Sequence, residues 1–490
     1  MQLSSLLENI YTLPAEADVS ITGVTLDSRS LKKGNVFIAF QGTHSDGRQF
    51  ITNAITQGAS AVLSEADEAG ITWQNKIPII AISNLSQIAG QIAANFYQHP
   101  VKSLRIIGIT GTNGKTSCSH FIATALQKLH LSCGVIGTLG NGLVNQIKPS
   151  NLTTPDAVTL QALFAEFIQQ GAKAVSMEVS SHSLDQGRVN QIPFEIGIFT
   201  NLTRDHLDYH GSMANYGAAK KRLFDNPLLK HAVINADDEF GRELIASLKN
   251  TQDIYAYSTQ PQQQSDVPLI YADQIRLDVS GLCAKVYSPW GEGELQTQLI
   301  GQFNLSNLLA TLTTLCLMGI EFKDALYVLS QLKPVPGRME LLGGKNQPTV
   351  VVDYSHTPDA LEKALLALRA HCEGELFCLF GCGGDRDKGK RPIMAKIAEQ
   401  FADRVVVTDD NPRHEDPKQI VADIMQGFLH PSNIIVQHDR SKAIQDIIQC
   451  AKPGDCILVA GKGAETYQQI GDKKLPFNDV GCVEQVLGNI

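Results

Sequence analysis

Along most of this chain, short apolar runs alternate with stretches whose apolar residues recur at helical spacing. Val36-Phe37-Ile38-Ala39-Phe40, Ala61-Val62-Leu63 and Pro78-Ile79-Ile80-Ala81-Ile82 predict strands, and residues 85–97 predict a helix that closes the segment. From about residue 99 the alternation restarts. Leu104-Arg105-Ile106-Ile107 predicts a strand, Phe121-Ile122-Ala123-Thr124-Ala125-Leu126 lies on a helix, and strands are expected at 134–137, 174–178, 196–200 and 232–235. From about residue 335 it repeats, with strands expected at 350–353, 376–380, 404–408, 433–436 and 455–460. Strands alternating with helices imply parallel, doubly wound sheets, whose ligands sit at the carboxyl ends of the strands.

A length of 490 residues exceeds one ordinary core and fits three domains. The expected boundaries are 1–98, a small N-terminal α/β domain; 99–334, a central domain; and 335–490, a C-terminal Rossmann-like domain. The 43% hydrophobic and 19% charged content is that of a globular protein, and the net charge of −9 argues against a nucleic-acid-binding face. The ten cysteines form no C-x-x-C pair and read as reduced, mostly core thiols of a cytoplasmic protein. No basic, then apolar, leader opens the chain and no apolar run reaches membrane-spanning length, so neither a secretory signal nor membrane insertion is expected.

Candidate chemistry begins directly after the strand at 104–107. Gly108-Ile109-Thr110-Gly111-Thr112-Asn113-Gly114-Lys115-Thr116-Ser117 reads as a phosphate-binding loop. Gly111 and Gly114 let backbone N–H groups approach phosphate oxygens, Lys115 adds a charge at the β/γ-phosphates, and the Thr116 hydroxyl can ligate Mg²⁺. Ile109 stands where the generic loop has glycine, so this is a narrower variant. The fold class is therefore α/β with a central P-loop, doubly wound parallel sheet, and the nucleotide is ATP or GTP. Glu178 ends the strand 174–178, where such folds place a metal-side carboxylate. Asp205-His206-Leu207-Asp208-Tyr209-His210 follows the next strand as a possible metal or acid/base cluster, although Mg²⁺ prefers oxygen and an isolated loop histidine is more often a surface residue.

Thr110-Gly-Thr-Asn-Gly-Lys-Thr116, Glu178-Val-Ser-Ser-His182, Asn201-Leu-Thr-Arg-Asp-His-Leu-Asp-Tyr-His210, Gly301-Gln-Phe-Asn-Leu-Ser-Asn307 and Asp353-Tyr-Ser-His-Thr-Pro358 occur in this order. Together they resemble the Mur ligases of peptidoglycan synthesis, over nearly the whole chain. The resemblance implies a three-domain ligase. ATP would phosphorylate the D-glutamyl carboxylate of UDP-MurNAc-L-Ala-D-Glu, and an amine would then attack the acyl phosphate. It implies catalytic roles for Lys115, Glu178, His206 and Lys220, and a Mg²⁺ set of Thr116, Glu178, His206 and Lys220 as its CO₂-derived carbamate. Residue chemistry alone favours reading Lys220 as a helix-surface lysine, like Lys221 and Arg222. Further implied ATP contacts are Gly111, Thr112, Asn113, Gly114, Ser117, Asn304, Arg338, Asp353 and His356. For Asp353 a turn cap is the competing reading. Leu26, Ser28, His44, Ser45, Asp46, Thr153, Thr154, Ser180, Gln186 and Arg188 match contacts to the UDP-muramoyl-dipeptide.

Asp410-Asn411-Pro412-Arg413 resembles the signature of the members that add meso-diaminopimelate. That amino acid is lysine with a second carboxylate at its far end, and Arg413 can grip a carboxylate bidentately. Arg386, Gly461 and Glu465 complete the implied pocket, with Glu465 facing the distal ammonium. A lysine-adding relative, a folylpolyglutamate synthetase-like ligase and, from another class, a nucleotide-dependent switch module are the competing readings. A monomer is expected.

Overall fold

The computed structural model describes residues 1–43, 45–261, 265–278 and 281–488. It divides into two compact units: Met1–Gly108, His130–Gly197 and Ala219–Lys230 form the first, and Ile109–Leu129, Ile198–Ala218 and His231–Ile490 the second.

In the first unit a five-stranded sheet has the order Gly23–Thr25, Asn35–Ala39, Ala61–Glu65, Ile77–Ile82, Gly70–Gln74. The first four strands are parallel and the last is antiparallel. One face packs under the helix Leu85–Phe96 through Val36, Ile38, Leu63, Ile80, Ile92 and Ala93; the other covers Ala54 and Ile55 of the helix Ile51–Thr56. The same unit holds Ala174–Glu178, Cys133–Gly137 and Gly140–Leu143, the first pair parallel and the last pair antiparallel. Helix Ala157–Gln169 starts where Asp156 accepts from Val158 N and Thr159 N, both at 3.0 Å, an N-cap that satisfies two orphan donors.

The second unit continues with Ile196–Phe199, His231–Asn235, Asp253–Ser258, Leu269–Asp278, Gly281–Ser288 and Gly291–Thr297 in that spatial order. Here an antiparallel set extends the parallel sheet. Leu269–Asp278, Gly281–Ser288 and Gly291–Thr297 pair antiparallel, with Tyr271 opposite Tyr287 and their rings stacked at 4.9 Å. These strands alternate apolar with polar residues, because one face stays solvated, and so lack the continuous apolar runs of doubly buried strands. Helix Gln302–Leu317 is buried along most of its length and packs on helix Lys115–Lys128. Its Thr311, Thr313 and Thr314 hydroxyls return to the carbonyls of Asn307, Leu309 and Ala310, which lets polar side chains sit in a core.

The C-terminal sheet has the order Glu340–Gly343, Thr349–Asp353, Cys456–Ala460, Leu376–Phe380, Arg404–Val407, Ile435–Val436. All but the first strand are parallel. Its predicted strands therefore form, and one edge gathers their carboxyl ends: Asp353, Gly461, Gly381 and Thr408 follow or close four neighbouring strands. Helix Pro358–Arg369 opens with Pro358 in its first turn and Thr357 capping Ala360 N. Of the ten cysteines, all free, six are buried and Cys450 is exposed.

Candidate active site

In the second unit the phosphate loop joins a strand to the first turn of helix Lys115–Lys128. Gly111 and Gly114 have φ of 146° and 88°, which L side chains rarely adopt. A Cβ on Gly111 would lie 1.9 Å from Thr200 Oγ1, and one on Gly114 would lie 2.6 Å from Asn307 Oδ1. The loop thus depends on missing side chains, as an anion cradle does. Asn201 fixes its shape by taking Thr112 N on its carbonyl at 2.8 Å and Asn113 N on its side chain at 2.9 Å. Thr112 and Thr203 exchange a second pair of bonds at 3.1 and 3.0 Å. Lys115 Nζ folds onto the carbonyls of Gly111 and Thr112, and Thr116 and Ser117 are buried in the first helical turn.

Arg338 reaches this loop from far along the chain. Its Nη2 donates to Thr116 Oγ1 at 3.0 Å while its guanidinium lies 4.2 Å from the Tyr354 ring centroid. Asp353 takes Met339 N at 2.9 Å on one oxygen and the Ser355 hydroxyl on the other. It therefore ties the Arg338 loop to the His356 loop, the turn-cap role weighed against an ATP contact. Asn304 is buried and donates to Ile300 O at 2.8 Å.

Asp205, His206 and His356 come together, but as an ion-pair chain. Asp205 Oδ2 lies 3.3 Å from His206 Nε2 and 3.6 Å from His356 Nε2. Burial pushes the Asp205 carboxyl up, yet the His356 hydrogen bond and the charges of His206, His356 and Lys390 hold it well below the usual carboxylate range. His206 has φ 53° and opens helix Leu207–His210, and His210 turns its ring to Tyr216. Among the described residues no three His, Cys, Asp or Glu side chains gather as a metal site.

The first unit holds a separate cluster. Glu178 is 1% exposed, and Thr138 supplies both its N–H, at 2.8 Å, and its hydroxyl, at 3.1 Å, to the two carboxylate oxygens. A Cβ on Gly137 would lie 2.3 Å from Glu178 Oε1, so the adjacent strand must leave space for the acid. Thr154 bonds the Glu178 carbonyl at 2.8 Å and accepts from Ser180 N at 3.1 Å. Arg188 Nη1 donates to Thr154 O at 2.8 Å and its Nε to Gln186 at 2.9 Å, while Thr153 faces Thr138 hydroxyl to hydroxyl. Thr153, Thr154, Ser180, Gln186 and Arg188 therefore form one network. Lys220 is 1% exposed on helix Met213–Lys221, which excludes the surface-lysine reading. Ser28 is buried after its Asp27 cap and Leu26 packs on the adjacent core; Ser45 is exposed and Asp46 caps the turn Gly47–Phe50. His44 lies outside the described residues.

The residues expected to bind the amino acid lie on loops at the carboxyl edge of the C-terminal sheet. Arg413 has φ 53°; its N–H bonds Gln469 O and its carbonyl takes Gly471 N at 2.7 Å. Arg413 Nη1 donates to Gly384 O at 2.7 Å; among the described residues Nε and Nη2 meet no acceptor. Pro412 is buried, and Arg386 is exposed with Nη1 on Asp385 O. A Cβ on Gly461 would lie 2.8 Å from Asp410 Oδ2. Asn411 Nδ2 donates to Glu465 Oε2 at 2.9 Å. Tyr467 is the common neighbour: burial, Glu465 and Asp410 push its hydroxyl pKa up, while Arg413 and Arg386 push it down. The loop Asp387–Gly389 is tied to Arg204, which pairs with Asp387 at 2.9 Å.

Sequence reasoning missed Arg204, Asp205 as the partner of His356, and above all Lys462, a fully buried cation bonded to Asn411 and Glu465. The signal for Lys462 was its position between Gly461 and Gly463 just past a strand end.

Three family models match the chain: the Mur ligase family catalytic domain over 20–97, the Mur ligase middle domain over 109–315 and the Mur ligase glutamate ligase domain over 337–463. A UDP-N-acetylmuramoyl-L-alanyl-D-glutamate–2,6-diaminopimelate ligase of Coxiella burnetii is 50% identical over 471 residues, 96% of each chain. Its counterpart in Pseudomonas aeruginosa is 48% identical over 96% of each chain. A solved ligase of the same name is 38% identical, with a TM-score of 0.69 over 96% of this chain and 95% of its own. A Mycobacterium tuberculosis folylpolyglutamate synthase shares the fold at a TM-score of 0.63 and 17% identity, covering 82% of this chain and 95% of its own. This chain is an ATP-dependent ligase and belongs to the Mur ligase family.

Proposed function

We propose that this enzyme joins meso-2,6-diaminopimelate to the D-glutamyl residue of UDP-MurNAc-L-Ala-D-Glu, with cleavage of ATP to ADP and phosphate. The observation that carries the choice of amino acid is Arg413, whose Nη1 is held by Gly384 O at 2.7 Å while its Nε and Nη2 meet no acceptor among the described residues. Two arginines and a glutamate match a substrate whose far end bears both a carboxylate and an ammonium. The Nε–Nη2 edge of Arg413 is a planar fork suited to the carboxylate, and lysine has nothing to place there.

A carboxylate is a poor acyl donor. The γ-phosphoryl group moves to the D-glutamyl oxygen, releasing ADP and giving an acyl phosphate; the amine attacks that carbonyl, and phosphate leaves with the carboxylate oxygen. Two anions must meet for the first step, so Lys115 and Arg338 screen the phosphates. The hard oxygens of Thr116 and Glu178 suit Mg²⁺, and the glycine cradle suits its nucleotide. We assign Mg²⁺ to Thr116 and Glu178, with His206 and carbamylated Lys220 as its further partners; when bound it neutralises developing phosphoryl charge. Thr153, Thr154, Ser180, Gln186 and Arg188 hold the muramoyl-dipeptide. Leu26, Ser28, His44, Ser45 and Asp46 hold the UDP end. On this reading residues 1–98 bind UDP, 99–334 bind ATP and 335–490 bind the amino acid. No helix among the described residues is long and apolar enough to cross a membrane, and we place the enzyme in the cytoplasm as a monomer.

Incubation with ATP, the UDP-muramoyl-dipeptide and either diaminopimelate or lysine tests the assignment. Mass spectrometry should find the dipeptide heavier by one diaminopimelate residue, and little product with lysine. Equal or preferential lysine addition would overturn the assignment.

A further inference from the structure

Lys462 is fully buried, yet it follows a strand end at the edge where the amino-acid pocket lies. Its Nζ donates to Asn411 Oδ1 at 3.0 Å and to Glu465 Oε2 at 2.7 Å, and lies 3.7 Å from Asp410 Oδ1. Asn411 closes the triangle by donating to the same Glu465 Oε2, and its own Oδ1 also takes Gln469 N at 2.8 Å. Among the described residues no side chain or N–H donates to Glu465 Oε1.

We propose that Lys462 is a positioning residue for amino-acid selection: it fixes Asn411 and one oxygen of Glu465, and so presents the other Glu465 oxygen to the substrate ammonium. This inference rests on the diaminopimelate reading and deepens it. Two carboxylates, Asp410 and Glu465, share one lysine, so the cluster carries one negative charge in excess. A substrate ammonium restores neutrality in a desolvated site, where an unmatched charge is costly. Without the lysine the two acids would repel and one would take up a proton.

The charges facing Asp410 agree with this arrangement. Burial pushes its carboxyl up, and Lys462, then Arg440, Arg413 and His356, bring it below the ordinary value. Arg440 is already committed to Asp479 at 2.7 Å. Tyr354 and Tyr467 feel both acids, and Cys382 feels Asp410. Removing Lys462 therefore removes the largest opposing charge and moves protonation of Asp410 to higher pH.

The test compares wild type, Lys462→Met and Lys462→Arg in steady-state assays with ATP, UDP-muramoyl-dipeptide and diaminopimelate. Lys462→Met should raise KM for diaminopimelate by about 30-fold or more, as loss of one partner of a buried charge pair does. KM for ATP and dipeptide should stay near wild type, and the acid limb of kcat/KM for diaminopimelate should move to higher pH. Lys462→Arg keeps the charge and so the acid limb, but its larger fork displaces Glu465, and it too should raise the diaminopimelate KM alone. It serves as the test if the Met variant does not fold. An unchanged diaminopimelate KM in either folded variant, or a loss spread equally over all three substrates, overturns the positioning role. Wild type forming no diaminopimelate product overturns the underlying reading as well.

Discussion

Replacing Lys220 by alanine should leave almost no ligation, a loss of about 10²–10³-fold or more, comparable to removing one preorganised electrostatic group from an active site. Short carboxylates such as acetate should restore part of it. The reasoning starts from burial. Lys220 is 1% exposed, whereas Lys221 on the same helix pairs with Asp225 at the surface. On the proposed reading the buried amine takes up CO₂ as a carbamate. The carbamate so formed is an anion, suited to a metal site where an ammonium would be repelled. A small carboxylate diffusing into the space left by the side chain supplies the same charge. Rates of Lys220→Ala with and without added acetate check this, and a fully active variant would remove the carbamate from the mechanism.

Arg413→Ala should lower kcat/KM for diaminopimelate by about 30-fold to several thousandfold, the range for truncating one partner of a desolvated charge pair. ATP affinity should be unchanged. Arg413 is held at φ 53° by backbone bonds to Gln469 and Gly471, so the alanine variant also bears some strain. Arg413→Gly relieves that strain while still lacking the guanidinium, and should lose as much activity toward diaminopimelate. Kinetics for all three substrates separate the effects: unchanged diaminopimelate parameters in both variants would take Arg413 out of the pocket.

Much of this site could be read before folding because its parts announce themselves locally. A glycine-rich turn between a strand and a helix has few alternative uses, and both its glycines sit where a Cβ would collide. Apolar runs such as Leu376–Phe380 and Cys456–Ala460 are buried on both faces, which makes them legible as parallel strands. Gly70–Gln74 and the antiparallel set from Leu269 to Thr297 keep one side toward solvent and were therefore not foreseen. Lys462 and Arg391 were hidden for another reason. A charged residue is presumed exposed unless its partners are known, and apart from Glu465 beside Lys462 theirs lie elsewhere in the chain: Asn411 for Lys462, and Glu415 with Asp423 for Arg391. The pairing of Asp205 with His356 likewise joins two loops that sequence order keeps apart.

The central claim is that ATP cleavage activates the D-glutamyl carboxylate itself. Supplying UDP-MurNAc-L-Ala-D-Glu labelled with ¹⁸O in that carboxylate, together with ATP and diaminopimelate, tests it most directly. The account predicts one labelled oxygen in the inorganic phosphate for every peptide bond formed. Unlabelled phosphate accompanying new peptide bond would contradict it.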